Sequence, residues 1–208
     1  SSNTAVGWGS LGVNTTGAQN TAVGRNAMDA NTTAANNVAV GYEAMTANTT
    51  GTANVTVGAH SMQANTTASN NTAVGYFSLA ANTTGTGNNT LGYQSLDANT
   101  TGSYNTAMGH VALTANTTAA DNTAFGGQAM YATTTGAKNT GIGSQALYAN
   151  TTGAENTAVG YQALDANTTG TRNTALGHGA LSALVGGYHY NVAIGYNALA
   201  VSTVNTGN

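Results

Sequence analysis

Asn156-Thr157-Ala158-Val159-Gly160-Tyr161-Gln162-Ala163-Leu164-Asp165-Ala166-Asn167-Thr168-Thr169-Gly170-Thr171-Arg172 is one copy of a phrase that returns every 17 residues. The leading Asn recurs at Asn3, Asn20, Asn37, Asn54, Asn71, Asn88, Asn105, Asn122, Asn139, Asn156, Asn173 and Asn191, with ten intervals of 17 residues and a last one of 18. Residues 1–208 read as one array: ten 17-residue repeats from Asn3, then two of 18 at 173–190 and 191–208. Numbering each repeat from its Asn defines columns that differ in what they tolerate. Column 5 is Gly in all twelve repeats, from Gly7 to Gly195. Column 9 is always Leu or Met, and column 4 is always apolar but ranges from Val6 to Met108 and Phe125.

A 17-residue repeat is too short for the helical hairpins of roughly 33 to 47 residues, and segments rich in Asn, Thr and Gly are poor helices. A β-branched centre followed by a regular Gly, which signals positive φ or close backbone approach, predicts short strands joined at corners. Stacked coils place equivalent columns about 4.8 Å apart. The expected fold is all-β, a parallel β-solenoid or β-roll of twelve coils with Asn, Thr and aromatic ladders. Columns 4 and 9 are expected to face its interior. One Val, one Leu and three Ala per coil make a core too small to offset the entropy of ordering 17 residues, which predicts further apolar burial between chains. The simplest such assembly is a homotrimeric fibre.

Composition narrows the function. Only nine of 208 residues are Asp, Glu, Lys or Arg, against roughly a quarter of an ordinary globular chain. With Arg25, Lys138 and Arg172 as its only Lys or Arg residues and a net charge of −3, the chain lacks the basic footprint of a nucleic-acid or anionic-membrane binder. It has no Cys, which excludes disulfides, thiolate metal sites and cysteine nucleophiles. No apolar run reaches the length of a membrane span, and no secretion leader is read in these residues.

Ala158-Val159-Gly160-Tyr161-Gln162-Ala163-Leu164 carries the pattern Ala-Val-Gly-x-x-Ala-Leu, which resembles the coil signature of trimeric autotransporter adhesin heads over nearly the whole chain. With its Asn-Thr-Thr-Gly spacer, the phrase is also similar to repeat arrays of phage tail-fibre and related appendage proteins, and that likeness is closer in spacing. The adhesin coils are shorter and lack the spacer seen at Ala47-Asn48-Thr49-Thr50-Gly51. The resemblance implies parallel trimers packed round a common axis, at an extracellular or virion surface. It also implies a shaft without enzymatic activity that holds a host- or surface-binding tip away from the particle. The alternative is a self-polymerising extracellular filament whose copies stack end to end through their open coil edges.

Several columns carry candidate sites. Asn14, Asn31, Asn48, Asn65, Asn82, Asn99, Asn116, Asn150 and Asn167 each begin Asn-Thr-Thr, formally a glycosylation acceptor. The same residues suit a tight turn whose side chains ladder between coils. Column 6 holds Trp8, Tyr42, Tyr76, Tyr93, Tyr161 and Tyr196, flat amphipathic rings that make a candidate glycan-contact stripe. Arg25, Ala59, Gly127 and Ser144 interrupt it, and His110 and His178 also stand there. Thr in columns 2, 13 and 14 raises ice binding, against which the sequence offers no Thr-x-Thr alternation. Asp29, Asp97 and Asp165 share column 10 but fall four coils apart, about 19 Å, beyond the roughly 5 to 9.5 Å of a carboxylate pair. No catalytic residue, metal site or cofactor is expected. The expected partners are other copies of the chain and a host-surface glycan. Ala183-Leu184-Val185-Gly186-Gly187-Tyr188-His189-Tyr190 replaces the usual spacer with the most apolar stretch and is expected to be buried, at a junction.

Overall fold

A computed structural model describes residues 2–200. It is an all-β parallel solenoid in two compact units, Ser1–Tyr104 and Asn105–Asn208. The first holds β1 (Thr4–Val6), β2 (Thr21–Val23), β3 (Val38–Val40), β4 (Val55–Val57), β5 (Thr72–Val74) and β6 (Asn89–Leu91). The second holds β7 (Thr106–Met108), β8 (Thr123–Phe125), β9 (Thr140–Ile142), β10 (Thr157–Val159), β11 (Thr174–Leu176) and β12 (Val192–Ile194). Within each unit, successive strands pair in parallel and in register, one coil apart: Thr4 with Thr21 and Val6 with Val23, Thr157 with Thr174 and Val159 with Leu176. The register absorbs the 18-residue repeat, because Thr174 pairs with Val192. The last repeat, 191–208, lies partly outside the described residues.

Each strand has three residues, and period-2 alternation decides which one faces in. It is column 3, Ala in most coils and fully buried at Ala22, Ala39, Ala73, Ala107, Ala124, Ala158 and Ala175. Columns 2 and 4 face out. The expectation that column 4 is core is therefore corrected: Val6, Val57, Leu91, Phe125, Ile142, Leu176 and Ile194 are 39–67% exposed. The interior is built from column 3, the small residues of column 8 and the Leu or Met of column 9, which from Met28 to Leu181 is no more than 1% exposed.

Tight space explains the exceptions. At Gly141 an added Cβ would sit 2.8 Å from Met130 Cγ, so Met130 in its present conformation occupies the space of a methyl there. Where column 3 becomes Thr, column 8 supplies a hydroxyl to pair it: Thr56 bonds to Ser61, and Thr90 Oγ1 lies 2.6 Å from Ser78 Oγ. Buried hydroxyls are thus satisfied rather than orphaned.

Two asparagine columns complete the interior, and both form ladders. In column 1, Asn71 N–H donates to Asn54 Oδ1 at 3.0 Å while Asn54 Nδ2 donates to Ala68 O at 2.9 Å. In column 12, Asn65 Nδ2 donates to Asn48 Oδ1 at 2.9 Å and to Ala68 O at 3.2 Å. One amide side chain thereby serves backbone groups that the coil bends away from strand pairing. The corners turn on residues of positive φ. Column 5 Gly has φ between 127° and 145°, and a Cβ on most of these glycines would collide with the carbonyl oxygen of the next coil's Gly. Column 9 is less usual, with Leu and Met at φ 48–54°. That left-handed geometry costs about 1–2 kcal/mol per residue. It is held by a bond to the neighbouring coil, as in Met28 N–H to Ala44 O at 3.0 Å, and by complete burial of the side chain.

Candidate functional site

The asparagine side chains of column 12 point inward. Asn31, Asn48, Asn65, Asn82, Asn99, Asn116, Asn150 and Asn167 are fully buried, Asn14 in the first coil is half-buried, and each amide Nδ2 donates within the coil or to its neighbour. A sugar on a fully buried amide would have to displace the core, so at the eight buried positions the acceptor reading gives way to the ladder. Thr133 replaces Asn in one coil and preserves part of the pattern, its Oγ1 accepting from Asn150 Nδ2 at 3.3 Å. Where the next coil offers Leu184 instead, Asn167 Oδ1 has no donor.

Column 6 lies on the surface, and all six aromatic candidates are exposed: Trp8 73%, Tyr42 42%, Tyr76 48%, Tyr93 45%, Tyr161 45% and Tyr196 76%. Most of them contact a neighbouring ring or guanidinium. Tyr76 and Tyr93 stack at 5.8 Å and 14°, while His60 and Phe77 of column 7 stack at 4.8 Å and 17° beside them. Arg25 and His178, which also stand in column 6, bridge neighbouring rings. Arg25 places its guanidinium 5.3 Å from the Trp8 ring and 5.9 Å from Tyr42, within cation–π range. His178 lies 5.2 Å from Tyr161 and 5.1 Å from Tyr196. Beside this ladder Glu43 Oε2 accepts from Gln63 Nε2 at 2.9 Å and lies 3.5 Å from His60 Nδ1. A hydrogen bond to the Glu43 carboxylate, reinforced by its charge, holds the Tyr42 phenol above its ordinary pKa.

A broader surface includes column 4, which the sequence places in the interior. Columns 2 and 4 form the outer face of the strands in each unit, and neither column holds a charged residue. Size tolerance is the signal that identifies it: column 3 admits only Ala, Thr or Gly, whereas column 4 takes Val, Leu, Met, Phe and Ile. Large side chains are interchangeable where no opposing wall fixes their volume.

The acidic residues stay dispersed, and among the described residues no group of three His, Cys, Asp or Glu comes within reach of one ion. Burial raises the carboxyl pKa of Asp97 and of Asp165. The apolar Ala183–Tyr190 stretch is buried only in part: Leu184 is interior, but Val185 is 64% and Tyr190 59% exposed. Tyr190 is pinned by Arg172, which donates to its hydroxyl at 2.6 Å, and His189 Nδ1 accepts from Thr171 N–H at 3.0 Å. No helix among the described residues is long and apolar enough to cross a membrane. Comparison with protein families, curated proteins and solved structures finds no match to this chain.

Proposed function

We propose that this chain is the shaft of a homotrimeric fibre, a phage tail fibre or cell-surface adhesin, which holds a binding tip away from the particle at an extracellular or virion surface. One observation carries the reading: each unit presents a strand face whose column 4 is apolar and half-buried to well exposed, and whose columns 2 and 4 are free of charge. Soluble monomers intersperse charge on such faces, and exposed sheet with apolar side chains marks a contact surface. Copies of the chain packed through columns 2 and 4 supply the burial that the small interior of Ala, Leu and Met lacks. The resemblance of the repeat to tail-fibre and adhesin arrays supports the same assignment. A shaft of this kind works mechanically, with no chemistry at any residue, through stiffness and reach that scale with repeat number.

The absence of Cys makes the test simple. A Val74→Cys variant can form disulfides only between chains, and the shaft reading expects efficient cross-linking at column 4 under mild oxidation. Thr114→Cys, in column 10, should cross-link poorly. Sedimentation of the wild-type protein as a monomer, with no preference for column 4 cross-links, would overturn the assignment.

A further inference from the structure

Column 14 holds Thr in all ten repeats that keep the ordinary spacer, from Thr16 to Thr101 at every seventeenth residue in the first unit and from Thr118 to Thr169 in the second. The neighbouring column 13 is also Thr throughout these repeats, and there the fold supplies a reason. Thr49 Oγ1, for example, donates to Thr66 O at 3.1 Å, and Thr151 Oγ1 to Thr168 O at 3.0 Å. Column 14 has no such reason: its side chains are exposed in every one of the ten coils, and their hydroxyls make no hydrogen bond to the described protein. An outward-facing position does not by itself demand Thr, since the outward-facing column 2 admits Val38, Val55 and Asn89. Glycosylation does not account for it either. Thr135 is retained where Thr133 has replaced the acceptor Asn, and the other acceptors are in the core or half-buried.

The surroundings narrow the ligand. Column 15 is buried, whereas column 14 is exposed and column 16 is half-buried in most coils on the same side, so the structure creates the alternation that the Thr-Thr pair conceals in the sequence. Column 16 is Ala, Ser or Thr in the same repeats, giving a low, uncharged face. It has no aromatic ring for a sugar to stack on. It has no cation for a polyanion and none of the Trp, Tyr or Arg anchors that dominate protein contacts. What remains is ordered water. Tetrahedral water with O···O of about 2.75 Å places second neighbours about 4.5 Å apart, and coils repeat at about 4.8 Å. Over the first unit's row the mismatch accumulates to about 1.5 Å, less than half a lattice step.

We infer that the column 14 hydroxyl rows, flanked by the small residues of column 16, form an ice-binding face. The inference is independent of the shaft assignment, because it concerns columns that the proposed chain contact does not use. The test is uptake of the full chain into slowly grown polycrystalline ice, together with thermal hysteresis. Wild type is expected to enrich in the ice and to separate melting from freezing. Replacing Thr50, Thr67, Thr135 and Thr152 together by Val keeps side-chain shape and removes the hydroxyls, and should reduce both readouts severalfold. Thr67→Lys combined with Thr135→Lys should abolish them. Thr114→Lys, on column 10, should leave them unchanged, and circular dichroism verifies the fold of each variant. Exclusion of wild type from ice, or full ice uptake by the folded Val variant, overturns the inference.

Discussion

Replacing Asn54 by Ala removes one rung of the column 1 ladder, and the structure fixes what is lost. The Asn54 amide accepts from Asn71 N–H at 3.0 Å and from Asn71 Nδ2 at 3.2 Å, and it donates to Asn37 Oδ1 at 3.1 Å and to Ala68 O at 2.9 Å. Three of the partners keep another bond: Asn71 Nδ2 to Gly85 O, Ala68 O from Asn65 Nδ2, and Asn37 Oδ1 from Asn54 N–H. Each of those losses costs about 1 kcal/mol. The Asn71 N–H keeps none, and an orphaned buried donor costs about 1–3 kcal/mol. The sum is about 4–6 kcal/mol, equivalent to a fall in Tm of roughly 10–20 °C for a chain of this length. Urea unfolding gives the energy, and hydrogen exchange at the Asn71 amide reports the site. Asn54→Asp should also destabilise, because it retains the acceptor but loses both donors and buries a charge. A loss below about 1 kcal/mol for Asn54→Ala would refute the view that the asparagine ladders hold the coils together.

Other substitutions probe other parts of the stack. Gly75→Ala meets both φ +136° and the carbonyl of Gly92; its strain alone costs about 1–3 kcal/mol, and thermal unfolding should show at least that loss. Gly141→Ala overfills the space occupied by Met130 and should cost about 1–3 kcal/mol, with Met130→Ala in the same chain giving back part of the loss in a double-mutant cycle. Thr133→Asn keeps an acceptor for Asn150 Nδ2 and adds a donor toward Gly136 O, as Asn150 has toward Gly153 O. It should stabilise by about 1 kcal/mol, raising Tm by roughly 2–4 °C. Because burial raises the Asp165 pKa, the folded state binds this proton more tightly than the unfolded chain. That contribution is fully present below the unfolded pKa and is lost as pH rises through the folded one. Asp165→Asn should therefore stabilise the protein at neutral pH, with the gain fading as pH falls into the carboxylate range; a gain that grows on acidification would contradict this.

The period, the coil and the parallel stack were legible because each rests on a column with one physical requirement. Gly in column 5 answers a backbone clash, and Leu or Met in column 9 fills a void of fixed size. Column 4 was misread because apolar character was equated with burial, whereas the spread from Val6 to Phe125 marks a position with no opposing wall. The asparagine ladders were legible as ladders, but their complete burial was not, since Asn is more often a surface residue. Column 14 showed its constancy in the sequence, yet only the direction of its side chains, opposite to column 15, separated it from the hydrogen-bonded column 13. The aromatic side chains of Trp8, Tyr42 and Tyr76 are exposed. That the stripe's rings stack on one another and on Arg25 depends on side-chain rotamers that composition does not encode.

The central claim is that the uncharged face of columns 2 and 4 is covered by other copies of the chain. Cryo-electron microscopy of the native assembly, at a resolution that counts chains in cross-section, tests it most directly. Three parallel chains with columns 2 and 4 turned toward the shared axis is the predicted result. A single chain per cross-section, with Val57, Leu91, Phe125 and Ile142 facing solvent, would contradict it.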